Sequence, residues 1–526
     1  MSSFQFSFGP SGGPKKQTPR FHIGVMANLS GAPADPPPPL VSRKFVEVDI
    51  DNFDSRLDAM RPRVAFQVPN TVTGKGEVDV ELSFASLDDF GPGPVTAKVD
   101  VLRKLWTARE RLARMRSKPE GDVSGTAQLE PLLAKALDDP ELLGAILPGA
   151  GEPAPPEPAP EAPAAPDAPP AAEAPPAAEQ GGLLDQLLGM KPTDRPKPQA
   201  SSPIQHIVEQ AMAGTAHISD SAIQTIGALI DRIEELYSEQ LRLVLRHEAL
   251  KAVEATWRGL DYLVTNSEMD ESLKIRVLDV TKEELAAALA AADGLGPTEN
   301  PLLAMLRHQP FGCLIGDYAF DHAEADVALL GRLASVAAAC DLPFVAAASP
   351  RLLGLETWRD LKVTRELPAV LNSPEHAAWR DMASSGVSKH IYLTMPRFLA
   401  RLPYGAKTNP AEGVEFEERA DVTDPTHFVW SNAAYGIGVV VGRAFTVEGW
   451  DAQLTSGGES STIDSLPCYA YTDRYGDSEM MCPTEISLTV DASLILTMCG
   501  LTPLLHMKNT DRAMFAYAPS LGRGSR

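Results

Sequence analysis

The stretch LKIRVLDVTKEELAAALA (residues 273–290) opens a run in which strand and helix patterns alternate as far as residue 348. Thr281 begins the first helix of the run, and Glu284 three residues later completes the pattern of a capping box. The run contains predicted strands at 273–280, 311–315 and 343–348 and a second predicted helix at 323–339. Such alternation predicts a largely parallel sheet that is covered by helices and connected by right-handed crossovers.

Two long amphipathic helices are predicted upstream of this run, between Ser219 and Asn266. Their apolar residues recur at the spacing of one helix face. The first helix carries Ile223, Ile226, Leu229, Ile230, Ile233, Leu236 and Tyr237, and the second carries Leu250, Val253, Trp257, Leu260 and Leu263. Residues 204–518 are therefore predicted to form an α/β domain with a mixed or parallel sheet.

A smaller α+β domain is predicted at residues 20–147. Strand patterns occur at 21–26, 45–50, 63–68 and 78–84, and a helix pattern rich in Arg and Lys spans 95–115. We expect the four strands to form a small sheet. Residues 1–19 and 519–526, which are rich in small and polar residues, are predicted to be disordered.

A tether separates the two predicted domains. Residues 148–180 are almost entirely Pro, Ala, Glu and Asp and contain no Lys, Arg or aromatic residue, so they cannot bury a core. At the polyproline rise, about 33 residues extend on the order of 100 Å. The sequence therefore leaves open whether the two domains dock within one molecule or between neighbouring molecules. A short leucine-rich segment and a polar connector, 181–203, follow the tether.

The composition is that of an acidic, soluble protein of 526 residues. Its formal net charge of −23 argues against nucleic-acid binding, which needs a clustered basic face. Five cysteines without paired C-x-x-C spacing predict reduced thiols in the cytoplasm. The N-terminus lacks the apolar core of a signal peptide, and the longest apolar run, 433–447, is too short for a bilayer and contains Arg443. We therefore expect no membrane insertion.

The segment MPRFLARLPYGAKTNP (395–410), followed by the glutamate-rich turn from Glu412 to Glu418, resembles the signature of the large sheath subunit of the bacterial type VI secretion system. The resemblance continues through ATWRGLDYL (255–263), WSNAAY (430–435) and CPTEI (482–486). It implies that the segment is a structural loop. The residues of this signature loop are Pro396, Arg397, Arg401, Pro403, Tyr404, Gly405, Lys407, Asn409 and Pro410.

The first domain is similar to the small sheath subunit of the same system, through PRVAFQVPNTVTG (62–74), SFASLDDFGP (83–92) and LRKLWTARERL (102–112). The double resemblance implies a fused small-plus-large subunit of a contractile sheath. Such a subunit would assemble with itself or with other sheath subunits around an inner-tube protein, contact baseplate components and drive effector delivery by contraction. Fusion keeps the two parts at a one-to-one ratio and raises their effective concentration for each other.

The leucine-rich segment LLDQLL (183–188) resembles the N-terminal helix of large sheath subunits, which an AAA+ unfoldase binds when it recycles sheaths. The resemblance assigns recognition to Leu183, Leu184, Asp185, Leu187 and Leu188. Such a short helix is unstable alone but suits docking into a groove. An alternative remains open at this point, because the leucines would show the same pattern if they packed against the protein itself.

Large sheath subunits continue well past the segment that corresponds to Lys508–Asp511, whereas this chain stops at Arg526. Their terminal strands interlock neighbouring subunits by edge pairing. The difference predicts that the chain alone closes a sheath lattice incompletely. An accessory or cap-like sheath component that does not polymerise alone is therefore the alternative function.

No catalytic or cofactor-binding pattern appears in the sequence. The run Gly405–Thr408 lacks the spacing of a phosphate-binding loop, so a structural loop is favoured. Asp317, Asp321 and His322 suggest metal ligation, but a solvated strand-to-helix turn contains the same residue types, and we favour the turn. We expect Arg397, Arg401 and Arg443 to pair with acidic or subunit neighbours, and Trp257, Trp358, Trp379, Trp430 and Trp450 to lie in the core. A monomeric ligand-binding protein or enzyme that reuses the fold is the remaining alternative.

Overall fold

The computed structural model describes residues 6–7, 20–116, 142, 146 and 218–521, apart from 295, 297–298, 308, 362–363, 452, 455–458 and 473–475. The predicted tether and the leucine-rich segment lie outside the described residues. Contacts divide the chain into two compact units. The first unit combines Met1–Arg103 with Ser238–Arg526, and the second is Lys104–Tyr237.

Within the described residues, the strands form one large sheet and four two-stranded pairs. The strands are β1 (Phe6–Ser7), β2 (Phe21–Ala27), β3 (Val46–Val48), β4 (Arg63–Pro69), β5 (Glu77–Ser83), β6 (Leu273–Asp279), β7 (Phe311–Phe320), β8 (Phe344–Ala348), β9 (Ile391–Met395), β10 (Phe398–Leu399), β11 (Trp430–Ser431), β12 (Gln453–Leu454), β13 (Thr462–Ile463), β14 (Ala470–Thr472), β15 (Ser478–Met480), β16 (Leu501–His506) and β17 (Ala513–Phe515). The two-stranded pairs are β1–β12, β4–β5, β10–β11 and β14–β15.

The described helices cover the large sheet in the first unit and pair with each other in the second. They are α1 (Phe53–Met60), α2 (Pro92–Lys98), α3 (Asp100–Arg116), α4 (Ile218–Leu245), α5 (Glu248–Thr265), α6 (Lys282–Ala291), α7 (Pro301–Leu306), α8 (Glu324–Cys340), α9 (Leu367–Leu371), α10 (Ala377–Ala383), α11 (Ala434–Glu448) and α12 (Val490–Met498). The predicted helix at 95–115 is two helices, because Val99 between them has extended backbone angles. In the part of the chain that is described, no helix is long and apolar enough to cross a membrane.

The large sheet has nine strands in the order β13-β17-β16-β9-β8-β7-β2-β6-β3. The six strands from β16 to β6 pair in parallel. Antiparallel partners complete both edges, β3 beside β6 and β17 and β13 beyond β16. The α/β alternation therefore forms the predicted parallel sheet with antiparallel edges, and the capping box at Thr281 and Glu284 is present.

The prediction of a separate small sheet in the first domain was wrong for two of its four strands. Only β4 and β5 pair with each other, whereas β2 and β3 belong to the nine-stranded sheet. All seven residues of β2 are buried, as expected for a central strand that is covered on both faces. Strand periodicity indicates which residues form a strand but does not identify its partner, and here the partner lies far along the chain.

The core of the first unit lies on both faces of this sheet. On one face, α6, α7, α8 and α12 contribute to a large apolar cluster that also holds Trp358 and Trp379. On the other face, α11 packs on β7 and beside α5. Trp257 and Trp430 are also buried as predicted, whereas Trp450 is half-buried, with its ring 5.0 Å from that of Phe21.

The second unit contains the paired parts of α3 and α4. The Arg109 guanidinium donates to the Glu234 carboxylate at 2.8 Å and lies 5.0 Å from the Trp106 ring. The Trp106 ring is in turn 5.1 Å from that of Tyr237. One arginine of the basic helix pattern is thus paired with a glutamate of α4.

Candidate assembly site: the junction and the signature loop

The strand β2 forms the centre of a contact between the two ends of the described chain, which we call the junction. It comprises the contacts of residues 20–103 with residues 238–521. In the sheet, β2 lies between β6 and β7 and is parallel to both. The Phe21 ring lies over Gly312 of β7, where an added Cβ would come within 1.9 Å of that ring. Only glycine at position 312 leaves room for this strand pairing.

Asp279, the last residue of β6, holds the turn that follows β2. Its carboxylate accepts hydrogen bonds from the amides of Leu29 at 2.8 Å and Ser30 at 3.1 Å, and from the Ser30 hydroxyl. The Trp257 indole donates to the Leu29 carbonyl at 2.9 Å from the other side. These bonds satisfy backbone groups that leave the sheet at this point, and they connect β2 to two elements of the second part of the chain.

Arg43 connects the segment before β3 to the start of α6. Its guanidinium donates to both carboxylate oxygens of Glu284, at 2.5 and 3.0 Å, and to the Asp279 carbonyl at 2.7 Å. The hydrogen bond from Arg43 holds the pKa of Glu284 below its usual value. Glu284 therefore has two roles, because it also caps α6 by accepting from the Thr281 amide.

The hairpin β4–β5 docks through one ring stack and one buried amide. The rings of Phe66 and His247 are parallel, with centroids 3.8 Å apart. The fully buried Gln240 accepts from the Thr71 amide at 2.8 Å and donates to the Pro69 carbonyl at 3.1 Å. Burial lowers the pKa of His247, which favours the neutral ring that accepts from the Ala249 amide.

The signature loop is built around Arg401, whose side chain is 4% exposed. Its guanidinium donates to Glu254 of α5 at 2.7 Å and to Glu418 at 2.8 Å, and it lies 4.2 Å from the Tyr404 ring. Glu418 also accepts from the Tyr404 amide at 2.9 Å. Two buried carboxylates thus enclose one buried cation, so the loop and the turn after it form one folded structure.

Charge pairing outweighs burial in this cluster. Burial by itself raises the pKa of Glu254, but the charges of Arg401 and Arg258 hold that pKa below its usual value. Burial also acts to lower the pKa of Arg401, but Glu254 and Glu418 raise it well above its usual value. Glu254 and Arg401 therefore remain charged at neutral pH.

The rest of the loop is held by a second ion pair and by a tight backbone turn. Arg397, an exposed residue, pairs with both carboxylate oxygens of Glu485 at 2.8 and 2.9 Å. Gly405 and Asn409 exchange backbone hydrogen bonds at 2.9 and 3.0 Å and close a tight turn, which Glu417 caps through the Ala406 amide. Pro396 and Pro403 are buried, Asn409 is half-buried, and Lys407 and Pro410 are exposed.

The loop also contacts the first part of the chain, so it adjoins the junction. A Cβ at Gly93 would approach the Glu412 carbonyl to 2.3 Å, and one at Gly91 would lie 3.8 Å from the Tyr404 hydroxyl. Arg242 and Arg246 at the end of α4 donate to backbone carbonyls of Glu417, Glu418 and Arg419. A rigid scaffold can result, because the loop is held both by side-chain charges and by close backbone contacts.

The three residues considered for metal ligation each contact different protein groups. Asp317 accepts from the hydroxyls of Thr256 at 2.7 Å and Tyr435 at 3.1 Å, and burial raises its pKa. Asp321 caps the Ala323 amide, and the His322 ring stacks on that of His376 at 4.2 Å. Within the described residues, no group of three or more His, Cys, Asp or Glu side chains is arranged to hold a metal ion.

Three arginines were expected to pair with acidic residues or with neighbouring subunits, and each has an acidic partner within the chain. Arg397 and Arg401 pair as described, and Arg443 lies 3.8 Å from Asp464. Sequence reasoning did not identify Glu254, Asp279 or Gln240 as functional residues. Glu254 had a signal, because it lies on the apolar face of its helix between Leu250 and Trp257. Asp279 and Gln240 had none, since their partners are distant in sequence.

Comparison with known proteins gives two family matches. The profile described as "EvpB/VC_A0108, tail sheath N-terminal domain" of VipB matches residues 227–522. The profile described as "Type VI secretion system, VipA, VC_A0107 or Hcp2" matches residues 7–150. The two profiles therefore match different parts of one chain.

Two curated relatives from Pseudomonas aeruginosa strain PAO1 agree with these matches. The type VI secretion system sheath protein TssC1 is 39% identical over 337 residues, which cover 62% of this chain and 68% of the relative. The sheath protein TssB1 is 45% identical over 151 residues, which cover 29% of this chain and 84% of the relative.

Proposed function

The chain belongs to the type VI secretion tail sheath family and joins a TssB-like and a TssC-like part in one structural subunit; from this premise we propose how the subunit works. It assembles with copies of itself or with other sheath subunits around an inner tube. Contraction of the assembly then drives effector delivery. Bistable interfaces between subunits would supply the work, since packed interfaces switch between discrete arrangements.

The position of β2 is the observation that carries this proposal. A strand of the TssB-like part lies between two parallel strands of the TssC-like part, so the two parts share one sheet. Force applied to either part is transmitted through main-chain hydrogen bonds and a buried core. A building block that stays intact during contraction needs such a connection.

The partners of the subunit follow from the family. An inner-tube protein, baseplate components and an AAA+ unfoldase are proposed partners, and Leu183, Leu184, Asp185, Leu187 and Leu188 are proposed as the unfoldase-binding residues. The signature loop is proposed as a structural element that supports these contacts. Its buried Arg401 pairs support this role, because they join the loop to α5 and to the turn that follows the loop.

We propose a non-catalytic, cytoplasmic role. Both matched profiles and both relatives are sheath or secretion-system proteins. The five free cysteines of the structure agree with a reducing compartment.

Negative-stain electron microscopy with light scattering, over a concentration series of the full chain, tests the assembly. Tubes or ring stacks that grow with concentration are expected. A monomer at every concentration, also when co-expressed with separate sheath subunits, would overturn the proposal. Tubes that form only in the co-expression would replace self-assembly by the accessory or cap-like role.

A further inference from the structure

Three arginines lie together at the turn that follows the signature loop. Arg242 and Arg246 donate to the main-chain carbonyls of residues 417–419, and Arg419 belongs to the turn itself. We call Arg242, Arg246 and Arg419 the arginine site. Arg419 is exposed, and the other two are half-buried. All three belong to the first compact unit.

The arginine site has no carboxylate partner of its own. Within the described part of the chain, none of its three guanidinium groups forms an ion pair with an Asp or Glu side chain. The two glutamates of the same turn are engaged elsewhere. Glu417 accepts from the Ala406 amide at 2.9 Å, and the buried Glu418 pairs with Arg401. The positive charge of the site is therefore available to a group outside the fold.

The three cations repel each other. Burial lowers the pKa of Arg242, and the charges of Arg419 and Arg246 lower it further. The opposing charges of Glu239 and Glu418 do not reverse this shift. An anion at the site would relieve the repulsion, because an opposite charge nearby favours the charged form of each arginine.

The backbone at Arg419 is also unfavourable. Its φ of 50° lies in the left-handed region, which disfavours residues other than glycine. Arg61 has a similar φ of 47°, but it ends α1, where the left-handed conformation is common. Arg419 ends no helix. Backbone strain without such a local reason clusters at functional sites.

We propose that the arginine site binds carboxylates on the surface of a second copy of this chain. Acidic residues outnumber basic ones by 70 to 47, and the net charge of −23 makes copies repel each other overall. A cationic site offers a place where a second copy can approach, because guanidinium groups form charge-assisted, often bidentate hydrogen bonds with carboxylates.

The contact deepens the proposed function and rests on it, since it names one interface of the self-assembly. A cationic surface of one copy meets a different, acidic surface of the next copy. Such a heterologous contact can be repeated from copy to copy, and it generates rings or open helical assemblies. We therefore expect the arginine site to act in growth of the assembly and not in folding of the subunit.

Arg419→Gly separates the contact from the fold. Glycine removes the guanidinium and relieves the strain of the positive φ, so the melting temperature should not fall. In a light-scattering concentration series, assemblies of the variant should appear at a protein concentration about tenfold higher, as expected when one interfacial charge contact is lost. Added NaCl should reduce the difference from the unmodified chain.

Arg61→Gly is the matched control. Arg61 is an exposed arginine with a similar positive φ and lies outside the arginine site. The control loses the same charge and relieves the same kind of strain, so it should assemble like the unmodified chain. A loss of assembly as large as that of Arg419→Gly would assign the effect to net charge and would overturn the proposal.

Cross-linking identifies the source of the carboxylate. Arg419→Lys keeps the charge and supplies an amine, which a carbodiimide joins to a carboxylate in direct contact. The amide forms while the carbodiimide takes up the water. In an assembled mixture of unlabelled and heavy-isotope-labelled Arg419→Lys chains, mass spectrometry should find the amine at position 419 joined to an Asp or Glu peptide of the other label.

The outcomes separate this contact from the proposed function. If Arg419→Gly assembles at the same concentrations as the unmodified chain, the contact is overturned while self-assembly stands. Cross-links that never combine the two labels overturn it in the same way. If the unmodified chain forms no assembly at any concentration, self-assembly fails and the contact fails with it.

Discussion

The junction and the signature loop lie in the same compact unit but are stabilised by different interactions. At the junction, β2 is held by main-chain hydrogen bonds and apolar contacts on both faces, and few of these depend on one particular side chain. In the loop, one buried cation holds two buried carboxylates, so a single substitution leaves unpaired charge. The comparison teaches that β2 is held by backbone pairing and close packing, whereas the loop depends on the charges of specific residues.

The largest effect is expected from Arg401→Met. The substitution leaves Glu254 and Glu418 buried without their shared cation, and breaking a buried ion pair in this way destabilises a protein by about 3–5 kcal/mol. Chemical denaturation of the full chain should show this loss in the free energy of unfolding. The matched control is Arg232→Met, whose exposed pair with Glu235 should contribute about 0–1 kcal/mol. Equal losses of unfolding free energy in both variants would show that the buried Arg401 pairs contribute no more than an exposed pair.

Replacement of the whole cluster sharpens the same point. Glu254→Leu/Arg401→Met/Glu418→Leu removes the buried cation together with both buried carboxylates, and apolar replacements of buried ion clusters are often neutral or stabilising. Arg258 loses its 2.8 Å pair with Glu254 in this variant, but its side chain is 19% exposed and reaches water. We expect the triple variant to recover most of the stability lost in Arg401→Met. Failure to recover any of it would mean that the hydrogen bonds to Tyr404 and Leu402 matter more than the charges.

At the junction, a smaller loss is expected from Gly312→Ala. The added Cβ collides with the Phe21 ring, and overpacking of a core costs about 1–3 kcal/mol. Hydrogen exchange should show faster opening of β2 and β7, with little change in the signature loop. Gly386→Ala is the control, because a Cβ there has no heavy atom within 4 Å. Slow exchange of β2 in the Gly312 variant would contradict the strand position on which the junction depends.

The turn after β2 should respond to a similar or lesser degree. Asp279→Ala removes the acceptor for the Leu29 and Ser30 amides, and a donor left unsatisfied costs about 1–3 kcal/mol when it is buried. Ser30→Ala, which removes only the hydroxyl bond, should lose clearly less. The difference between the free energies of unfolding of the two variants measures the stability that the hydrogen bonds from the backbone amides contribute. A larger loss in Ser30→Ala would assign the role to the hydroxyl.

The smallest effect concerns the Arg43–Glu284 pair and depends on pH. Because Arg43 lowers the pKa of Glu284 in the folded state, its contribution is present above the unfolded pKa and is lost as the pH falls through the folded pKa. Arg43→Ala should therefore lower the melting temperature at pH 7 and converge with the unmodified chain in the acid range. A difference that persists unchanged at low pH would show that packing, and not charge, carries the contact.

Much of the fold could be predicted from local patterns. The alternation after residue 273 identified β6, β7, β8 and the helices between them, and the capping box located the start of α6. The predicted helix at 95–115 was interrupted because Val99 adopts an extended conformation between two helices. Apolar spacing reports one helix face and is insensitive to a single break of this kind.

The candidate site was only partly predictable. The signature residues were located by resemblance, and their arginines were expected to pair with acids. Glu254 was the partner that periodicity could have revealed, since an acidic residue on an apolar helix face needs a buried counter-charge. The hydrogen-bond acceptor of the turn after β2 has no such sequence signal, because Asp279 has the same sequence context as any strand end.

The sequence by itself determined the strand and helix segments, the acidic charge, the tether composition and the membership of both parts in one family. Only the tertiary structure decided that β2 and β3 complete the sheet of the second part, and that Arg401 pairs with a glutamate of α5 as well as with one of the turn after the loop. The physical reason is that periodicity and propensity are local properties of the chain. Strand partners and buried ion pairs are chosen by burial and by hydrogen bonding between residues as far apart in sequence as Ile23 and Cys313.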